Sequence, residues 1–131
     1  MSRRLFNRVL DELIGNANTV YNNLENNSKE NNRKWHKINY TQANFYASQG
    51  YFVIAAWNSG SDEMGHVDTI LPGHTGDTWK DIYVMDTGWA PYFLDGQLCN
   101  ARSVNQNINY SFGKKKRNGE EGSLGIYYYK E

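Results

Sequence analysis

The stretch from residue 50 to residue 73, GYFVIAAWNSGSDEMGHVDTILPG, decides the fold class of this chain. Residues 51–57 form a continuous apolar run, which is typical of a strand that is buried on both faces. The polar loop that follows has the small and acidic residues of a turn. Residues 66–71 then alternate in polarity, which places His66 and Asp68 on one face of a second predicted strand. This part of the chain therefore predicts a β-sheet.

Helical patterns precede this stretch, and further strands follow it. Apolar residues at helical spacing predict helices over about 2–14, 17–26 and 41–48. After the stretch, the patterns predict strands at about 81–86 and 124–129. Between these strands they predict a helix at 103–112 and a charged hairpin tip at 113–122. We therefore expect a single α+β domain over residues 1–131, with N-terminal helices packed on an antiparallel β-sheet.

The composition argues against nucleic acid and membrane partners. The 131 residues carry a formal net charge of zero, and the KKKR run is followed closely by Glu120 and Glu121, as in a solvated turn. No run of about 18 apolar residues is present, so we expect no membrane span. No signal peptide is recognisable after Met1, which leaves the cytoplasm and a non-classical or phage export route open. We expect no disulfide within the chain, because Cys99 is its only cysteine.

Three histidines and two oxygen-rich loops raise the question of a metal site. His36, His66 and His74 show none of the short spacings of metal-binding histidines. The loops 59–63 and 73–77 do not match a calcium-binding EF-hand loop, and turn formation explains their composition. No glycine-rich phosphate-binding motif occurs. We therefore expect neither a metal nor another cofactor.

His66 is the candidate catalytic base, because a residue at the start of a strand lies at the rim of the sheet. Histidine exchanges protons near neutral pH, and it needs a nucleophile and a third group that orients its ring. Asp86, at the end of the neighbouring predicted strand, is the candidate for that third group. Asp68 is two residues along the same strand, about 6–7 Å away, so we expect it to act electrostatically rather than by a direct hydrogen bond. The alternative is that His66 is a polar residue at a strand end.

Aromatic residues flank this predicted site. Trp57 ends the apolar run, and Trp89 follows the strand that carries Asp86. They are candidate walls of a groove that holds a peptide or stacks on a sugar ring. The alternative is that both indoles pack in the core or at its rim.

Residues 35–90 resemble the papain-like cysteine peptidases and amidases of the NlpC and CHAP type, which are bacterial enzymes that cut peptide or amide bonds in peptidoglycan. The resemblance rests on Ala43, Ala47, Gly50, Val53, Ala55, Gly65, His66, Val67, Pro72, Gly73, Asp86, Thr87 and Gly88. It implies a papain-like fold and the hydrolysis of an amide bond in a cell-wall peptide. It also implies that His66 is the general base and Asp86 the residue that orients it.

The chain departs from this family at the nucleophile. The family has a cysteine at the start of the first helix, where the helix dipole lowers the thiol pKa. The corresponding position here falls on Ser2 or just before Met1. Three interpretations are open: a cysteine removed or replaced by serine, a non-catalytic peptide- or glycan-binding module that keeps the groove, or Cys99 as the nucleophile of a permuted relative. A small buried cysteine is the alternative for Cys99.

Overall fold

The computed structural model describes residues 12–60, 65–86, 92–94, 97–99, 105–117 and 123–131. Within these ranges it contains three α-helices, namely α1 (Ala17–Ser28), α2 (Ala43–Ser48) and α3 (Ile108–Arg117). The strands of the same ranges are β1 (Trp35–Ile38), β2 (Val53–Asn58), β3 (His66–Ile70), β4 (Tyr83–Asp86), β5 (Tyr92–Leu94), β6 (Gln97–Cys99), β7 (Asn105–Asn107) and β8 (Ser123–Tyr129). Short 3-10 turns occupy Tyr40–Gln42 and Trp79–Asp81.

Six of the strands form one sheet in the order β1-β8-β2-β3-β4-β7. Every neighbouring pair in this sheet is antiparallel, and β5 and β6 form a separate antiparallel pair. The prediction of an α+β fold with an antiparallel sheet is therefore confirmed. The papain-like identity of that fold stays a prediction.

Helices cover both faces of the sheet. On one face, α1 packs over buried side chains of β1, β2 and β8, among them Trp35, Ile54 and Tyr127. On the other face, α2, α3 and the second 3-10 turn enclose a larger cluster that includes Trp79 and Phe112. Strand β2 lies between the two layers, which explains why its sequence is apolar without alternation.

Two segments differ from the sequence predictions. Trp35–Ile38 was not among the predicted strands but is an edge strand, because it pairs with β8 and its tryptophan is fully buried. The helix predicted at 103–112 begins only at Ile108, since Asn105–Asn107 pairs with β4. The Asn107 side chain then accepts a hydrogen bond from the Asn109 backbone and so stabilises the helix start.

The predicted boundaries of the other elements agree with the structure only in part. Helix α3 continues to Arg117, so the first half of the hairpin tip predicted at 113–122 is helical and that prediction was wrong there. Glu12 and Leu13 are helical, in agreement with the end of the first predicted helix, and the rest of that helix lies outside the described residues. None of the helices in the described ranges combines the length and apolar character that a membrane crossing requires.

Candidate functional site

His66 begins β3 and faces the layer of α2 and α3. Its backbone pairs with that of Trp57 on β2, which places the two side chains next to each other on one face. Its imidazole packs edge-on against the ring of Phe112, with 4.9 Å between the ring centroids. The side chain is 16% exposed, so the imidazole is largely enclosed but still accessible from one side.

The imidazole is in direct contact with a buried carboxylate. His66 Nε2 lies 2.9 Å from Asp68 Oδ1, and the Asp68 side chain is completely buried. The two groups are therefore much closer than the expected separation of about 6–7 Å, but the contact is electrostatic and not a hydrogen bond, in agreement with the expected role of Asp68. Strand geometry fixes the separation of the backbones, but the side chains lean along the strand and so close the gap.

Ser111 on α3 completes a cluster that we call the His66 cluster: His66, Asp68 and Ser111. The Ser111 hydroxyl oxygen lies 2.9 Å from His66 Nε2. The same hydroxyl donates a hydrogen bond to Asp68 Oδ2. The buried carboxylate therefore accepts a hydrogen bond at Oδ2 and has the imidazole beside Oδ1. Sequence reasoning missed Ser111, because it is 45 residues from His66 and no motif spacing connects them.

Asp86 is the last residue of β4, the strand next to β3, as the sequence predicted. Its backbone in β4 pairs with Asp68 and not with His66. The carboxylate that contacts the imidazole is that of Asp68. The proposed role of Asp86 as the orienting group stays a prediction, because its side chain lies outside the described part of the structure.

Of the other predicted site residues, Trp57 is the one whose side chain the structure describes. Trp57 is 5% exposed and belongs to the core cluster below α2 and α3, so its indole packs in the interior beside His66. Ser2 and Trp89 lie outside the described residues. Cys99 lies in β6, where its backbone pairs with that of Tyr92.

A close backbone contact explains the Gly-His pair in the sequence. A Cβ atom at Gly65 would overlap the backbone carbonyl oxygen of Trp57 and the side-chain oxygen of Asn18. Asn18 is held there by Ser59, whose backbone N–H donates to the Asn18 side chain at 3.0 Å. Only glycine fits between α1 and the end of β2, and this close approach fixes the position at which β3 and His66 begin.

Two recesses lie near the site. The larger, about 420 Å³, is on the α1 face of the sheet and is lined mainly by apolar residues such as Val20, Phe52 and Ile54. The smaller, about 280 Å³, is lined by Tyr40 and Trp79 among others. It also includes Leu124 of β8, whose backbone pairs with Trp57, and Trp57 pairs in turn with His66.

The chemistry available to the His66 cluster is proton transfer. A buried carboxylate beside an imidazole stabilises the imidazolium that forms when the ring accepts a proton. Among the described residues, no three acidic, histidine or cysteine side chains are grouped closely enough to hold a metal ion. Comparison with known proteins finds no family model, curated protein or solved structure that matches this chain.

Proposed function

We propose that the chain is a papain-like amide hydrolase that acts on a peptide, and that a bacterial cell-wall peptide is its substrate class. The observation that carries the proposal is the contact between His66 Nε2 and the buried Asp68 carboxylate. A histidine held in this way is oriented for general base catalysis. The substrate class comes from the resemblance to the NlpC and CHAP enzymes.

The reaction follows from the atoms in contact. Nε2 of His66 contacts Ser111 and Asp68, and we assign Nδ1 as the atom that accepts the proton of the nucleophile. The nucleophile oxygen, expected on Ser2, then bonds to the substrate carbonyl carbon. The imidazolium returns its proton to the leaving amine as the C–N bond breaks, and a water molecule, activated in the same way, hydrolyses the acyl-enzyme ester. A backbone amide at the first helix would stabilise the oxyanion.

A peptide- or glycan-binding module is the second candidate function. The observation in its favour is the serine at the position where the family has cysteine. A serine hydroxyl without a dedicated base is a much poorer nucleophile than a thiolate, so a chain with this change can keep its groove and lose its activity.

The test uses the full chain and purified peptidoglycan, with release of soluble peptides and new amino groups as the measurement. His66→Asn should lower the rate by about 100-fold or more, because the general base is lost. His74→Asn is the matched control, since His74 stacks on Tyr83 outside the His66 cluster. Equal rates for His66→Asn and the wild type would refute the catalytic role. Cosedimentation with peptidoglycan in the absence of any hydrolysis would favour the binding module.

A second variant tests the nucleophile. Ser2→Cys should raise the rate of peptide release by at least about tenfold, because a thiolate attacks far more readily than a serine hydroxyl. The gain should disappear in the double variant with His66→Asn. Ser28→Cys, which places a thiol at the end of α1 instead, is the control for nonspecific thiol reactivity. A rate that Ser2→Cys leaves unchanged would exclude Ser2 as the nucleophile position.

A further inference from the structure

We propose that Ser111 is a positioning residue that fixes the tautomer of His66. Its hydroxyl donates to Asp68 and accepts from the Nε2–H group of His66, which leaves the lone pair of the neutral ring on Nδ1. The tautomer follows from the contacts alone, and only its catalytic consequence rests on the proposed amide hydrolysis.

The hydrogens available in the His66 cluster determine the direction of each hydrogen bond. A serine hydroxyl has one hydrogen to donate, and an ionised carboxylate only accepts. The hydrogen of Ser111 is directed to Asp68 Oδ2. Toward His66 Nε2, at 2.9 Å, the Ser111 oxygen can then act only as an acceptor. The proton of that hydrogen bond must therefore come from Nε2. Asp68 Oδ1 also lies 2.9 Å from Nε2, but the hydrogen bond of Nε2 is formed with Ser111, and the contact with Oδ1 is electrostatic.

This arrangement differs from a serine protease triad, although the residue types are the same. In a triad the carboxylate and the serine meet opposite nitrogens of the ring, and the histidine removes the serine proton. Here the carboxylate and the serine meet the same nitrogen. His66 is a donor to Ser111 rather than its base, so the contact does not activate Ser111 as a nucleophile.

Helix α3 holds the hydroxyl in place. Ser111 lies between two residues that anchor the helix, since Phe112 is buried against the His66 ring and Ile108 is fully buried. The Ile108 backbone N–H also donates to the Ile82 carbonyl oxygen at 2.9 Å, which ties the start of the helix to the end of the second 3-10 turn. The position of the hydroxyl is thus set by packing of its neighbours and does not depend on its own hydrogen bonds alone.

Nitrogen-15 NMR of the protein with labelled histidine tests this directly, because the chemical shifts and two-bond couplings of the ring nitrogens distinguish the two tautomers. The neutral His66 ring should be in the Nε2–H form in the wild type. Ser111→Ala should populate the Nδ1–H form, and Ser111→Thr, which restores a hydroxyl, should restore the wild-type pattern. Ser48→Ala on α2 is the control. A wild-type Nδ1–H ring, or Ser111→Ala signals identical to the wild type, would overturn the inference.

Kinetics supply the second readout. Ser111→Ala should lower kcat for peptide release by about 10-fold to 100-fold with little change in KM, because a misoriented base affects the transition state and not substrate binding. Covalent labelling of Ser111 by a fluorophosphonate would overturn the proposal, since it would identify Ser111 as a nucleophile. The NMR experiment needs no turnover. An Nε2–H ring that depends on Ser111, in a chain that releases no peptide, would therefore refute the hydrolase function and still support the role of Ser111.

Discussion

The phenol of Tyr127 on β8 donates a hydrogen bond to the carboxylate of Glu25 on α1, across 102 residues of chain. Lys37 on β1 contacts the same carboxylate, with 2.5 Å between its Nζ and Oε1. Burial and the neighbouring carboxylate raise the pKa of Tyr127, so the phenol keeps its proton and remains a donor. This one carboxylate therefore links the helix to two strands of the sheet.

Tyr127→Phe should lower the free energy of unfolding by about 1–3 kcal/mol, because Glu25 loses a buried hydrogen-bond donor while the ring stays in place. Urea unfolding followed by circular dichroism measures the change. Tyr110→Phe is the matched control, since Tyr110 is 75% exposed and its loss should leave the midpoint unchanged. Equal midpoints for Tyr127→Phe and the wild type would contradict the role of this hydrogen bond.

The same carboxylate should make stability depend on pH. Burial by itself raises the pKa of Glu25, but the hydrogen bonds from Lys37 and Tyr127 and the charges of Lys37 and Lys29 outweigh it, and the pKa is lowered from its ordinary value of 4.5. A carboxyl group with a lowered folded pKa contributes stability above its unfolded pKa and loses it as the pH falls through the folded pKa.

The stability difference between the wild type and Glu25→Gln should therefore be fully present at pH 7 and shrink as the pH falls below 4.5. Urea midpoints of both proteins at several pH values between about 7 and 3 provide the measurement. Glu30→Gln serves as the control, because Glu30 is an exposed carboxylate just after the end of α1. A difference that stays constant over this range would show that Glu25 does not contribute through its charge.

Gly65→Ala should destabilise the protein by about 1–3 kcal/mol, because the added methyl group has no space between α1 and the end of β2. Removing the Asn18 side chain in a double variant should recover only part of the loss, since the carbonyl oxygen of Trp57 belongs to the backbone and remains. Thermal unfolding checks both changes. Full recovery in the double variant would show that Asn18 alone restricts the position.

Asp68→Asn should lower peptide release by about 100-fold or more while the protein stays folded, because the imidazolium loses the charge that stabilises it. Peptidoglycan hydrolysis measures the rate, and circular dichroism confirms the fold. Asp77→Asn is the control, since Asp77 is exposed in the loop that follows β3. A rate close to that of the wild type would argue for another orienting group, with Asp86 as the next candidate.

The strands that could be predicted are those in which the pattern of apolar residues shows which faces of the strand are buried. The run in β2 is apolar because two layers cover it, and β3 alternates at its start, with His66 and Asp68 on one face and Val67 on the other. Strands β1 and β7 have four and three residues and owe their conformation to β8 and β4. Segments this short cannot show a periodic spacing of apolar residues, so pairing with a neighbouring strand decides their structure.

The candidate site could likewise be predicted only in part. The position of His66 at a strand start could be predicted from the local Gly-His pattern. The contact with Asp68 could not be predicted, because the backbone spacing alone keeps the two residues apart and only the lean of their side chains brings them together. Ser111 could not be predicted, because only the packing of α3 on the sheet brings it to His66.

Strand β8 is the last strand in sequence, yet it lies between β1 and β2. On the ribosome, the nascent chain would therefore make β1 and β2 long before the strand that joins them. During that interval two strands would have unpaired backbone edges, which favour association with other chains. The sheet depends on contacts between distant residues, and its folding should be slow for a domain of this size.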